Sequence, residues 1–389
     1  MNKGSFIYSA VRTPICGFNG ALSSMAAPDL ASAAIKEALL RAGIDGDEVQ
    51  EVLLGNVLSA GIGQAPARQA ALKSGLPDTV GATTINKVCG SGMKAVMMAD
   101  QSLHLNQAQF IVAGGMESMS RAPFLLPQMR QGRKLGNAHA IDSLIHDGLC
   151  DPLEDDHMGE LSEKVSQQHG ITRESQDIFA ATSYRRARKA QDECAFAREV
   201  IPISISSGNQ SRVVEKDEQP YADDLDQLSL LPPVFDKEKG TITKGNAAKI
   251  SDGAAALVIG QESSEHTPLA RIVGYATHAQ SPATFALAPI EAIRKVLQSC
   301  NLTKKDIDLF EINEAFAAMS LIVNQKLGLD AEQVNIHGGA IALGHPIGAT
   351  GARILVTLIN ALQTRKLKRG LASLCIGGGE ATAMVIELI

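Results

Sequence analysis

Residues 34–57 read AIKEALLRAGIDGDEVQEVLLGNV, and residues 292–315 read AIRKVLQSCNLTKKDIDLFEINEA. Laid against each other at one fixed offset, Ala34, Ile35, Ile44, Val49, Val52 and Leu54 fall opposite Ala292, Ile293, Leu302, Ile307, Phe310 and Ile312. Each stretch runs from apolar residues at helical spacing, through a polar turn, into a short apolar run with strand character. The register continues further along. CGSGMK (Cys89–Lys94) falls opposite GATGAR (Gly348–Arg353), and GGME (Gly114–Glu117) opposite GGGE (Gly377–Glu380), with little drift in the offset. Three matches in one order imply a duplicated α/β unit.

Each copy also carries a helix with little polar surface: MKAVMMA follows Gly92, and ARILVTLINAL follows Gly351. A helix that is apolar nearly all round is covered on all sides. The pattern therefore predicts an α/β fold with α-β-α-β-α layering, two central helices lying between two sheets.

Composition changes between the copies. From about Met119 to Lys244 the chain is polar, with QMRQGRKLGN, DPLEDD, YRRARK and EKDEQPYADDLD. Thr172 is the natural N-cap for a helix starting at RESQDIFAATSYRRA, and the basic run Tyr184–Lys189 reads as a solvated helix face. GNAAKISDGAAALVIG (Gly245–Gly260) reads as a strand returning to the first copy. The expected organisation is a first half over residues 1–118, completed by 245–265, a loop domain over 119–244 that covers a binding site, and a second half over 266–389.

Several function classes are excluded by composition. With 36 basic and 42 acidic residues the formal net charge is −6, which gives no basic field for nucleic acid. No stretch reaches the roughly 18 consecutive apolar residues of a membrane span. The opening MNKGSFIYSAVRTPICGF has no apolar run followed by a small-residue cleavage site, so an intracellular, cytoplasmic protein is expected. The six cysteines are scattered without Cys-x-x-Cys spacing, so neither a zinc framework nor a disulfide scaffold is expected.

Chemistry concentrates in four places. Cys89 falls where a strand and a glycine-rich turn lead into the first buried helix. Unpaired N–H groups and the positive end of the helix dipole there are expected to pull its thiol toward neutrality. His345, crowded by glycines and followed by Pro346, precedes the second buried helix, where a rigidly held imidazole serves as general base. Duplication brings the two together across the internal axis. Cys375 ends an apolar strand just before Gly377-Gly378-Gly379, a turn able to present N–H groups to an oxyanion. Asn313 and Glu314 fall at the corresponding strand-to-helix turn. Gly90-Ser91-Gly92-Met93-Lys94-Ala95 also satisfies the loose dinucleotide pattern, but the nearest acid, Glu117, lies too far along for a ribose contact, and that reading is set aside.

With these segments in view, NKVCGSGMKAV, AGGMESMSRAPF, NEAFAA, GGAIALGHPIGATGARIL and CIGGG resemble the signature segments of the thiolases, collinearly over essentially the whole chain. GNA within GTITKGNAAKISDGAAA and HMG at His157–Gly159 are similar to the acetoacetyl-CoA branch rather than the long-chain degradative branch. The resemblance implies a thiolase fold and an acyltransferase of fatty acid metabolism that interconverts two acetyl-CoA with acetoacetyl-CoA and CoA. It implies coenzyme A thioesters as substrates, no further cofactor, no metal, and a homodimer or homotetramer. Residue by residue, it implies Cys89 as the acylated nucleophile, His345 as its base, and Cys375 as the acid/base at the second substrate. Asn313 (through a water) with His345 would form one oxyanion site, and the N–H groups of Cys89 and Gly377 the other. Coenzyme A contacts are implied for Leu149, His157, Met158, Ala247, Ala248 and Lys249.

Four positions depart from the family's habit: Tyr221 near the place of an arginine, Ala248 in place of a serine, Lys249 where glycine is common, and Glu380 where methionine or glutamine follows the glycines. The first two remove a cation and a hydroxyl that would anchor coenzyme A. Lys249 or the basic stretch Arg130–Lys134 is expected to compensate. The alternatives are a thiolase for longer 3-ketoacyl chains and a catalytically silent acyl-binding protein. A carrier-protein-dependent condensing enzyme is a further reading, opposed by Cys375, since related synthases carry histidine there.

Overall fold

The computed structural model describes residues 4–207 and 210–389. Strand β1 (Phe6–Arg12), helix α1 (Ala27–Ala42), β2 (Val49–Gly55), α2 (Pro66–Lys73), β3 (Gly81–Ile85), α3 (Ser91–His104) and β4 (Phe110–Ser118) open the chain. A long excursion follows, carrying α4 (Met158–Gln168) and α5 (Arg173–Asp192). The chain returns as β5 (Ser251–Gly260), then adds β6 (Ala270–Ala279), α6 (Ala288–Ser299), β7 (Leu309–Ile312), α7 (Ala317–Leu327), α8 (Ile347–Arg365), β8 (Arg369–Ile376) and β9 (Glu380–Leu388). Local signals set the ends of these elements. Helix α1 starts on Pro28 and stops at Gly43, whose left-handed backbone (φ 64°) returns its N–H to Leu39 and Leu40. The Thr172 hydroxyl accepts from the Ser175 N–H and caps α5.

Hydrogen bonding orders the main sheet β7-β8-β9-β6-β1-β5-β4-β2-β3, with the two-residue strand Cys16–Gly17 added to β5. Only β2–β3, β2–β4 and β7–β8 are parallel. The order is symmetric about the β1–β6 seam, so β2 corresponds to β7, β4 to β8, and β5 to β9. In the first half Val52 pairs in parallel with Ala82 of β3. Its counterpart Phe310 keeps one isolated parallel bridge, to Val334.

Alternation along the strands builds the layers. In β4, Ile111 and Ala113 face a core shared with α3 and α8, while Phe110 and Val112 face the core that holds α1 and α2. In the second half, Ala372 and Leu374 of β8 join the shared core, and Leu371 joins the one that holds α6 and α7. Helix α8 is buried without interruption from Ile347 to Leu362 and packs on β4 and β5 as well as β7 and β8. The expected layering is therefore present, with one difference. The two sheets are joined: β1 and β6 pair at Phe6–Arg271 and Ile7–Ala270, so hydrogen bonding runs through both halves.

The central helices meet backbone to backbone. A side chain at Gly92 would put its first carbon 2.7 Å from the Ala352 nitrogen, and one at Gly351 would reach 2.4 Å from the Met93 nitrogen. These reciprocal contacts are a two-fold relation written in glycines. The match of GGME to GGGE does not describe this symmetry. Gly114 and Gly115 lie within β4, whereas Gly378 and Gly379 turn the chain between β8 and β9 at φ 85° and 88°, so the same residue type answers two different demands. Among the described residues no helix is long and apolar enough to cross a membrane.

Candidate active site

The nucleophile candidate sits at the end of a strained turn. Beyond β3 the chain passes Val88, a β-branched residue held at φ 46°, a conformation that persists only when its surroundings enforce it. They do: the Val88 N–H donates to Asn86 Oδ1, and the Ser91 hydroxyl accepts from the Lys87 N–H while donating to the Val88 carbonyl. Glu380 pairs with the Lys87 ammonium and ties the turn after β8 to the same loop. Of the unusual residues, Glu380 is thus a brace for the Cys89 turn. Gly90 packs on Ile376 at the end of β8, which brings Cys89 beside Cys375 and Gly377.

Around the Cys89 sulfur two influences oppose. The N–H groups of Gly377 and of Cys89 itself point at it and favour the thiolate, but burial is larger and pushes the thiol up to about 11. The expectation of a thiol drawn toward neutrality is corrected accordingly. Cys375 is buried, where Cys89 is half-buried, and desolvation, with the nearby Cys89 adding to it, holds the Cys375 thiol well above the ordinary value. Both sulfurs rest as thiols.

His345 is 8 % exposed. Burial first, and the Arg353 guanidinium second, push it down to about 3, so the ring is neutral. Its main-chain N–H is held by the Lys249 carbonyl at 2.9 Å. Nδ1 lies 2.7 Å from the Thr350 hydroxyl, which donates its own proton to the Pro346 carbonyl at 2.9 Å. That hydroxyl can then only accept, so the ring proton sits on Nδ1 and the Nε2 lone pair is left free. Nε2 has no partner among the described residues. A free base is what the cysteine requires.

One cavity of about 300 Å³ gathers the predicted residues: Cys89, His345, Cys375 and Gly377 line it, and so do Leu149, His157, Met158, Ala247 and Ala248. Asn313 and Lys249 do not. Asn313 is fully buried, and neither of its amide atoms has a partner among the described residues. The Lys249 ammonium meets Asp223 at 2.6 Å and the Lys244 carbonyl at 2.6 Å, and lies over the Tyr184 ring. Tyr221 stands outside the cavity, bonded to Asp192 under the Arg188 guanidinium. Arg130, Arg133 and Lys134 do not line the cavity either. The basic run on α5 is not simply a solvated face. Tyr184 is buried, Arg186 binds the Ala331 and Val334 carbonyls, and Arg188 binds those of Pro220 and Asp223.

Some participants left no sequence signal. Phe235, from a polar stretch, stacks on His157 at 4.8 Å and meets Phe316 edge-on, walling the cavity. Thr350 lies inside a quoted segment, yet only the fold shows its hydroxyl under His345. Glu117, dismissed as a ribose acid, accepts from Asn56, Val57 and Leu58 of the first half and from the Gly348 N–H of the second. Burial, partly offset by those N–H groups, raises it to about 7.

Comparison with known proteins shows the family. The family model described as "Thiolase, N-terminal domain" matches residues 5–263, and "Thiolase, C-terminal domain" matches residues 266–388. An acetyl-CoA acetyltransferase of Escherichia coli (strain K12) is 52 % identical over 391 aligned positions, covering 99 % of each chain. One from Cupriavidus necator is 47 % identical over 98 % of each. The crystal structure of the Bacillus anthracis acetyl-CoA acetyltransferase superposes with a TM-score of 0.97 at 42 % identity over the whole of both chains. That of Acat5 thiolase from Ascaris suum in complex with coenzyme A does so at 0.93 and 41 %, again over the whole of both. Matched through both halves and across its full length, the chain belongs to the thiolase family.

Proposed function

We propose that this protein is an acetyl-CoA C-acetyltransferase, interconverting two acetyl-CoA with acetoacetyl-CoA and CoA by a ping-pong route through acetyl-Cys89. The observation that carries the reading is the cavity in which Cys89, Cys375 and Gly377 meet a neutral His345 whose Nε2 has no partner among the described residues. In the first half-reaction Nε2 takes the Cys89 proton as sulfur attacks the acetyl carbonyl. The N–H groups of Cys89 and Gly377 receive the oxyanion, and the departing CoA thiolate takes the Cys375 proton. The resulting Cys375 thiolate then removes a methyl proton from the second acetyl-CoA. Its enolate oxygen is met by the Nε2–H of His345 and by a water on Asn313. Attack on acetyl-Cys89 forms the C–C bond, and the released Cys89 sulfur recovers its proton from His345. Covalent catalysis divides one difficult condensation into two easier steps, and each oxyanion donor is typically worth about 3 kcal/mol.

Residues 119–244 are the covering segment in this reading, supplying Leu149, His157 and Met158 to the coenzyme A side, with Ala247 and Ala248 from the return. We assign the enzyme to fatty acid metabolism in the cytoplasm as a homodimer or homotetramer. The resemblance of the whole chain supports this. The test is incubation with acetyl-CoA followed by peptide mass measurement. An acetyl adduct on the Cys89 peptide with release of CoA is expected, and its absence would leave the silent acyl binder as the better account. Thiolysis across a ladder of 3-ketoacyl chain lengths should peak at four carbons; a maximum at longer chains would overturn the acetyl assignment.

A further inference from the structure

Among the described residues, Lys244 is the one side chain with a standing positive charge that lines the reactive cavity; the other lining groups are apolar, thiol, hydroxyl, backbone or neutral imidazole. It is exposed, whereas Cys375 and His345 are buried, so it stands at the rim and those two at the base. No carboxylate lies within ion-pair distance of its ammonium among the described residues. The nearby carboxylate is already committed, because Asp223 accepts from Lys249 at 2.6 Å and from the Tyr184 hydroxyl at 2.9 Å. Lys249 in turn grips the Lys244 carbonyl and fixes the main chain there. The Lys244 ammonium is thus left at the mouth of an apolar cavity without a carboxylate of its own, in a protein of net charge −6. This is a local positive excess with no internal partner.

Resting on the acyl-CoA reading of this site, we propose that Lys244 is the specificity residue that contacts the phosphates of the thioester substrate, so that the enzyme prefers phosphate-bearing thioesters to their pantetheine counterparts. The neutral pantetheine arm threads the apolar cavity toward Cys89, and the phosphates stop at the rim, where an ammonium pairs with them.

The experiment compares thiolysis of acetoacetyl-CoA by CoA with thiolysis of acetoacetyl-pantetheine by pantetheine, in the native protein, Lys244→Ala, Lys244→Glu and the surface control Lys305→Ala. The ratio of kcat/KM between the two substrates should fall roughly three- to tenfold in Lys244→Ala and further in Lys244→Glu. The loss should lie in KM, and the native ratio should shrink as salt rises. Lys305→Ala should keep the native ratio. Equal losses on both substrates, or an unchanged ratio, would overturn the proposal. Calorimetry of CoA against pantetheine on a Cys89→Ala background reads the same preference without turnover. A protein inactive on every thioester would therefore refute the catalytic reading while still deciding the role of Lys244.

Discussion

At Cys89 the helix start and two N–H groups draw the sulfur toward the thiolate, and the apolar walls drive it the other way. The walls win, with the thiol near 11, and His345, pushed to about 3, cannot stand by as an imidazolium counterion. The sign for reactivity follows. Below the thiol's pKa the thiolate fraction grows about tenfold for each pH unit, so alkylation of Cys89 by iodoacetamide should climb steadily from pH 6 to pH 9. Peptide mass mapping would follow it, and a rate already level across that range would show a preformed thiolate and refute the burial argument. Cys89, His345, Cys375 and Gly377 were legible because each sits in or next to a glycine-containing turn beside a buried element. The direction of the Cys89 shift was not, since the helix terminus is written locally while burial is contributed by segments far away in the chain. The Lys249–Asp223 pair was hidden for the same reason: Asp223 lies in the excursion, where no pattern announces it.

Among the elements, α3 and α8 carry the geometry of the site. Their crossing at Gly92 and Gly351 sets how far the Cys89 turn stands from the loop holding His345. Replacing Gly351 with alanine would press a methyl against the Met93 nitrogen at 2.4 Å, and neither main chain can yield. The expected cost is about 1–3 kcal/mol of stability, as for overpacking elsewhere. Activity should fall further than stability alone predicts, because the helices can relieve the contact only by moving apart. Urea midpoints and kcat measured together test this; a variant with native stability and native kcat would mean the crossing is looser than drawn. That both helices are buried could be read from their apolar circumference. Their close crossing was concealed, since Gly92 and Gly351 look like ordinary turn glycines until both helices are placed. The failed GGME–GGGE match shows the converse, one composition serving strand packing in β4 and a turn after β8.

The two halves of the molecule pair along only two residues at the β1–β6 seam, so their union must rest on side chains. It does. The shared core draws Leu53, Ile111 and Leu257 from the first half and Ala372, Met384 and Ile386 from the second around the same two helices. Glu117 bonds to main chain on both sides, and the buried Arg12, held by Glu199 and Asp217, fastens the excursion to β1. The duplication was visible because strand–helix periodicity survives in each copy, but the joining of the two sheets was not, since a pairing so short leaves no pattern. Neither half can cover its own central helix, so neither should fold alone, and unfolding should be a single event. Cys16, buried in the first half, and Cys375, buried in the second, are built-in reporters. Pulse labelling across a urea series with peptide-resolved mass measurement should give both the same midpoint. Separate midpoints would mean the central layer belongs to one half alone, and a site built from Cys89 of one copy and His345 of the other could then be lost while much of the fold remained.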